Sequence, residues 1–338
     1  MKINTSTLKQ ALDFLSMGIA KSTDKYETQL IEFETSNGRL KAYTSDDINK
    51  LGMRVCDTTE ELNVTLKFDI LYSLVKACKD EEIELIANKN YTQFKTNTVS
   101  CKLSTFTHTI TRPEFPKYAS TLNGKDIAKY LPIIKSILNT SHVEECYRYI
   151  YFGDNIMVTD TDNVAIVEEK LFNNNILIQL HSLEILSSFD EFEYICNSKK
   201  LCAKFDDKIV DITLMDSSKY QYEDLMGLFQ TPASNKITLA KDILSSAIST
   251  ASLFDSDTIN LVFNDSGVKI EIPSVEFSYI LSNYHCIDRT YSIPLVLIKK
   301  FLVIGDNLTI GYDADSLIYI ENDKIKTLYG VEANGDAK

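Results

Sequence analysis

Hydrophobic and polar residues alternate along three stretches of the chain, and a short polar turn interrupts each of them. The stretches run from Leu30 to Val55, from Tyr147 to Lys170 and from Thr258 to Leu281. Their turns are Asn37-Gly38, Gly153-Asp154-Asn155 and Asp265-Ser266-Gly267, which are residue types that tight turns favour. A period of two predicts half-buried strands, so each stretch predicts an antiparallel hairpin.

A helical pattern precedes each hairpin. In the first, Leu8, Ala11, Leu12, Leu15 and Ile19 follow the i, i+3, i+4, i+7 spacing of one helical face. The three predicted helices span Thr7 to Ala20, Gly124 to Leu138 and Leu239 to Leu253. Helix and hairpin therefore recur together, at an interval of roughly 115 residues.

The segments after each hairpin repeat as well. A strand running into a second helix is predicted at Val64 to Cys78, Ile176 to Phe189 and Tyr291 to Val303. Strand pairs follow at Ile83 to Phe106, Tyr194 to Met215 and Leu308 to Tyr329. The order helix, hairpin, strand, helix, hairpin is thus written three times, which predicts an α+β chain of three similar domains.

Domain boundaries are predicted where proline lies beside polar residues. Such positions occur near Tyr118, close to Pro116, and between Gln230 and Ser234, around Pro232. The predicted domains are residues 1–118, 119–230 and 231–338.

Composition agrees with three folded, strand-rich domains. The chain has 338 residues, of which 44% are hydrophobic, enough to give each domain a core. No apolar run reaches the roughly 18 residues of a transmembrane helix, and the polar N-terminus does not resemble a signal peptide. We therefore expect a cytoplasmic protein.

Catalytic, metal-binding and nucleotide-binding patterns are missing from the sequence. The four histidines form no HxH or HExxH arrangement, the seven cysteines form no CxxC pair, and neither GxxxxGK[ST] nor GxGxxG occurs. The acidic pairs Asp46-Asp47 and Asp160 with Asp162 occupy corresponding hairpin ends in two repeats, so we interpret them as turn residues rather than magnesium ligands. The sequence predicts no enzyme, no cofactor and no metal.

Three local segments, taken in order with the repeat, carry a resemblance to a known family. They are the opening MKINTSTLKQAL, the segment Arg112-Pro113-Glu114-Phe115-Pro116, and Val158-Thr159-Asp160. With these, nearly the whole chain resembles the bacterial DNA polymerase III β sliding clamp, in a diverged, phage-like version.

The resemblance implies a fold and a function. The fold would have three repeated DNA-clamp domains, each with antiparallel sheets outside and two helices facing a central pore. The function would be that of a processivity factor: a head-to-tail homodimeric ring that encircles double-stranded DNA and tethers the replicative polymerase. The polymerase and the clamp loader would bind through linear peptide motifs. Two alternatives stay open, a trimeric-type clamp and a β-rich scaffolding or interaction protein with no DNA role.

The chain departs from the family pattern in three places. The hairpin at Gly153 is trimmed, and Lys219-Tyr220 stands where the family has its second Phe-Pro element. The C-terminus continues past the last predicted strand as Glu332 to Lys338.

Charge is distributed as a DNA-encircling protein requires. The chain carries a formal charge of −13, yet the six predicted helices with their flanking residues (5–22, 67–79, 125–139, 181–192, 239–252 and 293–304) hold eleven basic and seven acidic residues, a net +4. A mildly basic lining within an acidic body would let DNA slide without being gripped. The candidate lining residues are Lys9, Lys21, Lys76, Lys79, Lys125, Lys129, Lys135, Lys241, Lys299 and Lys300.

Two observations temper this interpretation. Lysines on helices are most often ordinary solvated residues. The second predicted helix of domain two, with Glu184, Asp190 and Glu191, carries the opposite charge.

The resemblance also implies an apolar pocket for partner peptides between the second and third domains. By position its lining would be Thr159, Val164, Tyr220, Leu225, Tyr329 and Val331. An apolar cleft with an aromatic rim suits short linear peptides. The alternative interpretation makes Leu225 and Tyr329 ordinary core residues.

Overall fold

The computed structural model describes residues 1–21, 25–114, 120–230, 233–284, 286–312 and 317–333. Within these ranges it contains eight α-helices and 25 strands, and every strand pair is antiparallel. The predicted α+β class with antiparallel sheets is confirmed.

The elements follow one order in three successive parts of the chain. The first comprises β1 (Lys2–Asn4), α1 (Thr5–Leu15), β2 (Leu30–Ser36), β3 (Arg39–Ser45), β4 (Asn49–Asp57), β5 (Asn63–Lys67), α2 (Phe68–Ala77), β6 (Glu82–Ala87), β7 (Tyr91–Lys95) and β8 (Ser100–Phe106). The second comprises β9 (Ser120–Asn123), α3 (Gly124–Ala128), α4 (Leu131–Ile137), β10 (Tyr149–Phe152), β11 (Ile156–Thr159), β12 (Asn163–Val167), β13 (Ile176–Gln179), α5 (Leu180–Ser187), β14 (Glu191–Cys196), β15 (Lys200–Phe205) and β16 (Lys208–Thr213).

The third part is introduced by a short helix, α6 (Tyr222–Gly227). It comprises β17 (Asn235–Ala240), α7 (Lys241–Ala251), β18 (Thr258–Asn264), β19 (Gly267–Ile272), β20 (Phe277–Ser282), β21 (Arg289–Pro294), α8 (Leu295–Phe301), β22 (Asn307–Tyr312), β23 (Leu317–Glu321), β24 (Ile325–Gly330) and β25 (Glu332–Ala333). The predicted threefold repeat is confirmed. Each part differs from the prediction in three features: a strand before its first helix, a third strand in the hairpin stretch, and a third strand after its second helix. The third part has β25 in addition.

Capping and burial explain the first helix. The Asn4 side chain accepts hydrogen bonds from the backbone N–H groups of Ser6 and Thr7, which satisfies two of the donors that a helix leaves unpaired at its start. Leu8 and Leu12 are fully buried on one face. The α-helix ends at Leu15, earlier than predicted, and a 3-10 turn follows.

A proline divides the first helix of the second repeat. The sequence predicts one helix from Gly124 to Leu138, but the structure has α3 and then α4, with Pro132 in the first turn of α4. Proline lacks the N–H that a continuous helix needs, whereas the first turn of a helix tolerates it. The single-helix prediction was therefore wrong.

The chain folds into two compact units, residues 1–126 with 181–214, and residues 127–180 with 215–338. The first contains a twelve-stranded sheet ordered β1-β6-β7-β8-β5-β2-β3-β4-β16-β15-β14-β9. The second contains an eight-stranded sheet, β13-β10-β11-β12-β24-β23-β22-β17, and a five-stranded sheet, β20-β19-β18-β21-β25. The division at residues 118 and 230 stays a prediction; Tyr118, Pro116 and Pro232 lie outside the described residues.

Corresponding turns share their backbone geometry. Asp46 Oδ1 accepts hydrogen bonds from Ile48 and Asn49 N–H, and Asp160 Oδ1 accepts one from Asn163 N–H. The residue after each aspartate has a positive φ, 77° at Asp47 and 75° at Thr161. Both acidic pairs thus form Asx-type turns, as the sequence interpretation expects.

The sequence prediction that Glu332 to Lys338 follow the last strand needs a correction. Glu332 and Ala333 form the strand β25, which pairs with Tyr291 and Ser292 of β21. The prediction that β24 is the last strand was wrong. The remaining residues, 334–338, lie outside the described part of the chain.

Candidate functional site

One face of the eight-stranded sheet carries a cluster of aromatic and aliphatic side chains, here called the tyrosine face. Alternation places Tyr149, Tyr151, Met157, Val164 and Ile166 on it, because Tyr151 pairs with Met157 and Met157 pairs with Ile166 in the register. All five are at most 8% exposed.

The segment between β16 and β17 lies over this face. Tyr220 stacks on Tyr151 with ring centroids 5.4 Å apart, and Tyr222 stacks on the same ring at 4.8 Å. The Tyr147 hydroxyl donates to Gln221 Oε1 at 2.8 Å, and Asn155 Nδ2 donates to Tyr222 Oη at 3.1 Å. Further side chains of the segment are only half-buried against the cluster, namely Met215, Leu225, Met226 and Phe229.

A cavity of about 250 Å³ opens on the same side of the sheet. Its lining includes Phe229, Tyr319 and Lys326. Lys326 of β24 pairs with Ile166 of the tyrosine face. Leu328 of β24 pairs on one side with Val164 of the tyrosine face and on the other side with Tyr319 of β23. Since paired residues project to the same side, the cavity extends the tyrosine face across β24 and β23.

The structure brings together three of the six predicted pocket residues. Val164 and Tyr220 belong to the buried cluster, and Leu225 packs against it. Thr159 pairs with Val164 on the same face but is fully buried, and its hydroxyl donates to the Asn163 carbonyl at 2.8 Å. Val331 follows β24 and is 8% exposed.

Tyr329 does not line the predicted socket. It pairs with Asn163, so it projects to the face opposite Val164, and its ring contacts Phe301 of α8 at 4.8 Å. Its side chain is fully buried. Tyr329 therefore cannot line the same pocket as Val164 and Leu225, because neighbouring residues of β24 project to opposite faces of the sheet.

Sequence reasoning missed several members of the cluster: Tyr147, Tyr149, Tyr151, Tyr222, Met226 and Phe229. A signal for three of them was present. Tyr147, Tyr149 and Tyr151 are spaced two apart at the start of a predicted strand, which places them on one face.

Burial governs the chemistry of these tyrosines. It raises the pKa of Tyr147, Tyr151 and Tyr220, and nearby carboxylates raise the pKa of Tyr147 and Tyr151 further. The hydroxyls consequently stay protonated at neutral pH and act as hydrogen-bonding groups rather than as bases. Tyr220 Oη is buried and has no hydrogen-bond partner among the described residues.

The candidate lysines of the first unit lie around α1, α2 and α3. Lys9, Lys76 and Lys125 belong to these helices and are exposed. α1 and α2 contact each other, with the Tyr72 hydroxyl donating to Asp13 Oδ1 at 2.6 Å and Lys76 Nζ lying 4.1 Å from the Tyr72 ring centroid. Lys125 lies 3.9 Å from Asp190 in an exposed ion pair.

The candidate lysines of the second unit lie on or beside α4, α7 and α8. α8 contacts both α4 and α7, and α4 packs against β11 and β12. Lys135 of α4 and Lys299 of α8 are exposed, whereas Lys241 and Lys300 are half-buried. Because Phe301 of α8 covers Tyr329, α8 lies on the side of the eight-stranded sheet opposite the tyrosine face.

Two helix assignments in the charge argument need correction. Lys21, Lys79 and Lys129 lie beyond the ends of α1, α2 and α3 rather than within helices. α5 ends at Ser187, so Asp190 and Glu191 are not helical, and only Glu184 keeps an acidic side chain on that helix. The predicted acidic character of this helix therefore came from placing its C-terminal end too far along the chain.

No group of three or more His, Cys, Asp or Glu side chains is arranged to hold a metal ion within the described ranges. All seven cysteines are free thiols. Among the helices of the described ranges, none has the length and apolar character needed to span a membrane.

No family model and no curated protein matches the sequence. Solved structures match over nearly the full length. The Helicobacter pylori beta clamp bound to a DNA ligase peptide is 18% identical, with a TM-score of 0.81 and coverage of 98% of this chain and 99% of that one. The DNA polymerase III subunit beta of Pseudomonas aeruginosa is 14% identical, with a TM-score of 0.83 and coverage of 98% and 99%.

The DNA polymerase sliding clamp of Bacillus subtilis is 13% identical, with a TM-score of 0.84 and coverage of 98% of each chain. Low identity combined with full-length agreement of the backbone fits a diverged sequence. Across nearly its whole length, the chain has the fold of the bacterial DNA polymerase III beta clamp.

Proposed function

We propose that the protein is a DNA sliding clamp, a processivity factor that encircles duplex DNA and tethers the replicative polymerase without catalysing a reaction. The observation that carries the proposal is the full-length match to beta clamps at TM-scores of 0.81 to 0.84. The threefold repeat of elements supports it, because a match to one domain alone would not reproduce the order three times.

Electrostatics supports the DNA partner. Lys9, Lys76, Lys135 and Lys299 are exposed on helices of a chain whose formal charge is −13. Exposed lysines attract phosphates without reading bases, and the acidic remainder limits the strength of the contact. In the proposed ring these helices face the DNA, and binding is independent of sequence.

Ring closure would take two copies of the chain, head to tail. In the described ranges β20 is the end strand of its sheet. β8 pairs with β5 only through Thr105 and Phe106, so the remainder of that edge of β8 has no pairing strand among the described residues. Free strand edges are prone to pair with another chain. Leu253, Ile280, Tyr284 and Ile287 are 56% to 82% exposed at or near the β20 edge. We propose that β20 of one copy pairs with β8 of its partner.

Polymerase and clamp loader would dock linear peptides on the tyrosine face. The cavity beside Phe229 and the half-buried Leu225 and Met226 provide apolar surface for a hydrophobic anchor. The Helicobacter pylori beta clamp, whose fold this chain shares, binds a DNA ligase peptide. A cytoplasmic location follows from this role in replication.

Shortening Leu225 tests the tethering role. Leu225→Ala should weaken binding of the cognate polymerase by roughly thirtyfold, since an interface anchor contributes about 2 kcal/mol. Leu228→Ala is the matched control, because Leu228 lies on the same segment but is 43% exposed and outside the cluster. The readout is the length of primer extension by the polymerase on a circular template. Equal product lengths with both variants at all clamp concentrations would show that the face does not bind the polymerase.

The alternatives have distinct outcomes. A trimeric-type clamp would sediment at three times the chain mass and still be retained on circular DNA. A scaffolding protein would bind partners but show no retention on DNA.

A further inference from the structure

Carboxylates from three separate segments converge around the tyrosine face. Glu144 precedes β10, Asp154 lies in the β10–β11 turn, and Glu223 and Asp224 lie in α6. All four are exposed. Glu144 and Asp224 act electrostatically on Tyr147, while Asp154 and Glu223 act on Tyr151. The acidic groups therefore surround the same two rings although they are distant in sequence.

Cations near this rim are fewer than carboxylates, and most of them are engaged: in the adjoining cavity Lys326 pairs with Glu168 and Lys236 pairs with Glu321. Lys170 Nζ lies 2.8 Å from Asp154 Oδ1, and the Arg148 guanidinium donates to the backbone carbonyls of His142 and Val143. Residues 144–154 and 216–224 contain six acidic residues, Glu144, Glu145, Asp154, Asp216, Glu223 and Asp224, against three basic ones when Lys170 is included with Arg148 and Lys219. The rim keeps a net negative charge.

The floor within the rim is apolar and adaptable. It consists of Leu225, Met226 and Phe229, which are half-buried against the cluster. Methionine and aromatic side chains can repack around differently shaped apolar groups.

A buried polar atom within the cluster points independently to a missing partner. The Tyr220 side chain is 5% exposed, and its Oη has no hydrogen-bond partner among the described residues. Its ring is held between Tyr147 and Tyr151. Buried hydroxyls normally have a hydrogen-bond partner. A ligand group that enters the cluster and bonds to Tyr220 Oη would therefore relieve the unfavourable free energy of a buried, unsatisfied hydroxyl in the unbound protein.

We infer that the tyrosine face binds a peptide segment whose hydrophobic anchor is flanked by lysine or arginine. The anchor packs on Leu225, Met226 and Phe229, the flanking cations meet the carboxylate rim, and a polar group of the peptide bonds to Tyr220 Oη. The inference rests on the proposed function in that it takes this face as the partner site, and it adds the chemistry of the partner. Charge complementarity of this kind raises association rates and excludes acidic competitors.

Two synthetic peptides test the inference directly. Both carry the same Leu-Leu-Phe core; one has two lysines on each side of it, and the other has two glutamates. Fluorescence anisotropy with the full-length chain gives their dissociation constants. The lysine-flanked peptide should bind about tenfold more tightly in 50 mM salt, and the difference should shrink in 500 mM salt because exposed charges are screened.

Charge reversal on α6 tests whether the carboxylates of this helix cause the preference for the lysine-flanked peptide. Glu223→Lys/Asp224→Lys should abolish the preference for the lysine-flanked peptide. The control, Glu61→Lys/Glu191→Lys, reverses two exposed carboxylates of the first unit and should keep the preference within about twofold. Tyr220→Phe should weaken binding of the lysine-flanked peptide by about fivefold, the loss expected for one hydrogen bond.

The outcomes separate this inference from the proposed function. Equal binding of the two peptides, tighter binding of the glutamate-flanked peptide, or binding of neither would overturn the inference. Retention of the protein on circular DNA is measured on the same preparation. If retention persists while the peptide preference is absent, the clamp function stands and only the partner chemistry is wrong.

Discussion

At the scale of single residues, Tyr220 makes the most specific energetic claim. Its buried hydroxyl lacks a partner among the described residues, whereas the Tyr147 hydroxyl donates to Gln221 Oε1 at 2.8 Å. Tyr220→Phe should therefore raise the free energy of unfolding by about 1 kcal/mol, and Tyr147→Phe should lower it by about the same amount. Urea denaturation followed by circular dichroism measures both. A larger loss at Tyr220 than at Tyr147 would mean that the Tyr220 hydroxyl is bonded in solution.

The same residues show what the sequence could and could not predict about the site. Val164, Tyr220 and Leu225 lie in one cluster, and the sequence could bring them together because each has a fixed position relative to recognisable strands and turns. Tyr329 was misplaced because side-chain direction depends on register, and the period of two makes an uncertainty of one residue decisive. The acidic rim could not be predicted from the sequence, because Glu144, Asp154 and Glu223 are far apart along the chain and come close only in the folded protein.

At the scale of elements, periodicity predicted the hairpins and most helices, because each buries one face of a long regular segment. The strands β1, β9 and β17 were not predicted, although β17 has six residues with alternating burial. β1 has three residues and β9 has four, too few for an alternating pattern to stand out. Tertiary pairing defines them instead, as with β1 on β6.

Turn geometry gives a testable prediction at this scale. Gly267 has φ of 128°, and a Cβ there would lie 1.9 Å from the Ser282 carbonyl oxygen. Gly267→Ala should therefore destabilise the protein by about 2 kcal/mol or more. Gly227→Ala is the control, because nothing lies within 4 Å of the corresponding Cβ and alanine favours helices. Urea midpoints compare the two variants, and equal midpoints would contradict the backbone conformation of Gly267 and its close approach to Ser282.

At the scale of the whole molecule, the proposed ring predicts a defined mass. Sedimentation should give a species of twice the 38.3 kDa chain at micromolar concentration. Ile280→Lys places a charge on an exposed apolar position of the β20 edge and should yield monomer. Ile195→Lys, on the exposed side of β14, should remain dimeric. A wild-type chain that sediments only as monomer would contradict a stable ring.

A change in DNA topology distinguishes a protein that encircles DNA from one that binds its surface. The protein is loaded onto nicked circular DNA, free protein is removed by gel filtration, and a restriction enzyme then cuts the circle in half of the sample. Because the few exposed lysines of the proposed pore would bind phosphates only weakly at physiological salt, a topological link alone should hold the protein. If the protein encircles DNA, it should stay on the intact circles and leave the cut ones by sliding off the ends. Equal dissociation from circular and linear DNA would contradict it.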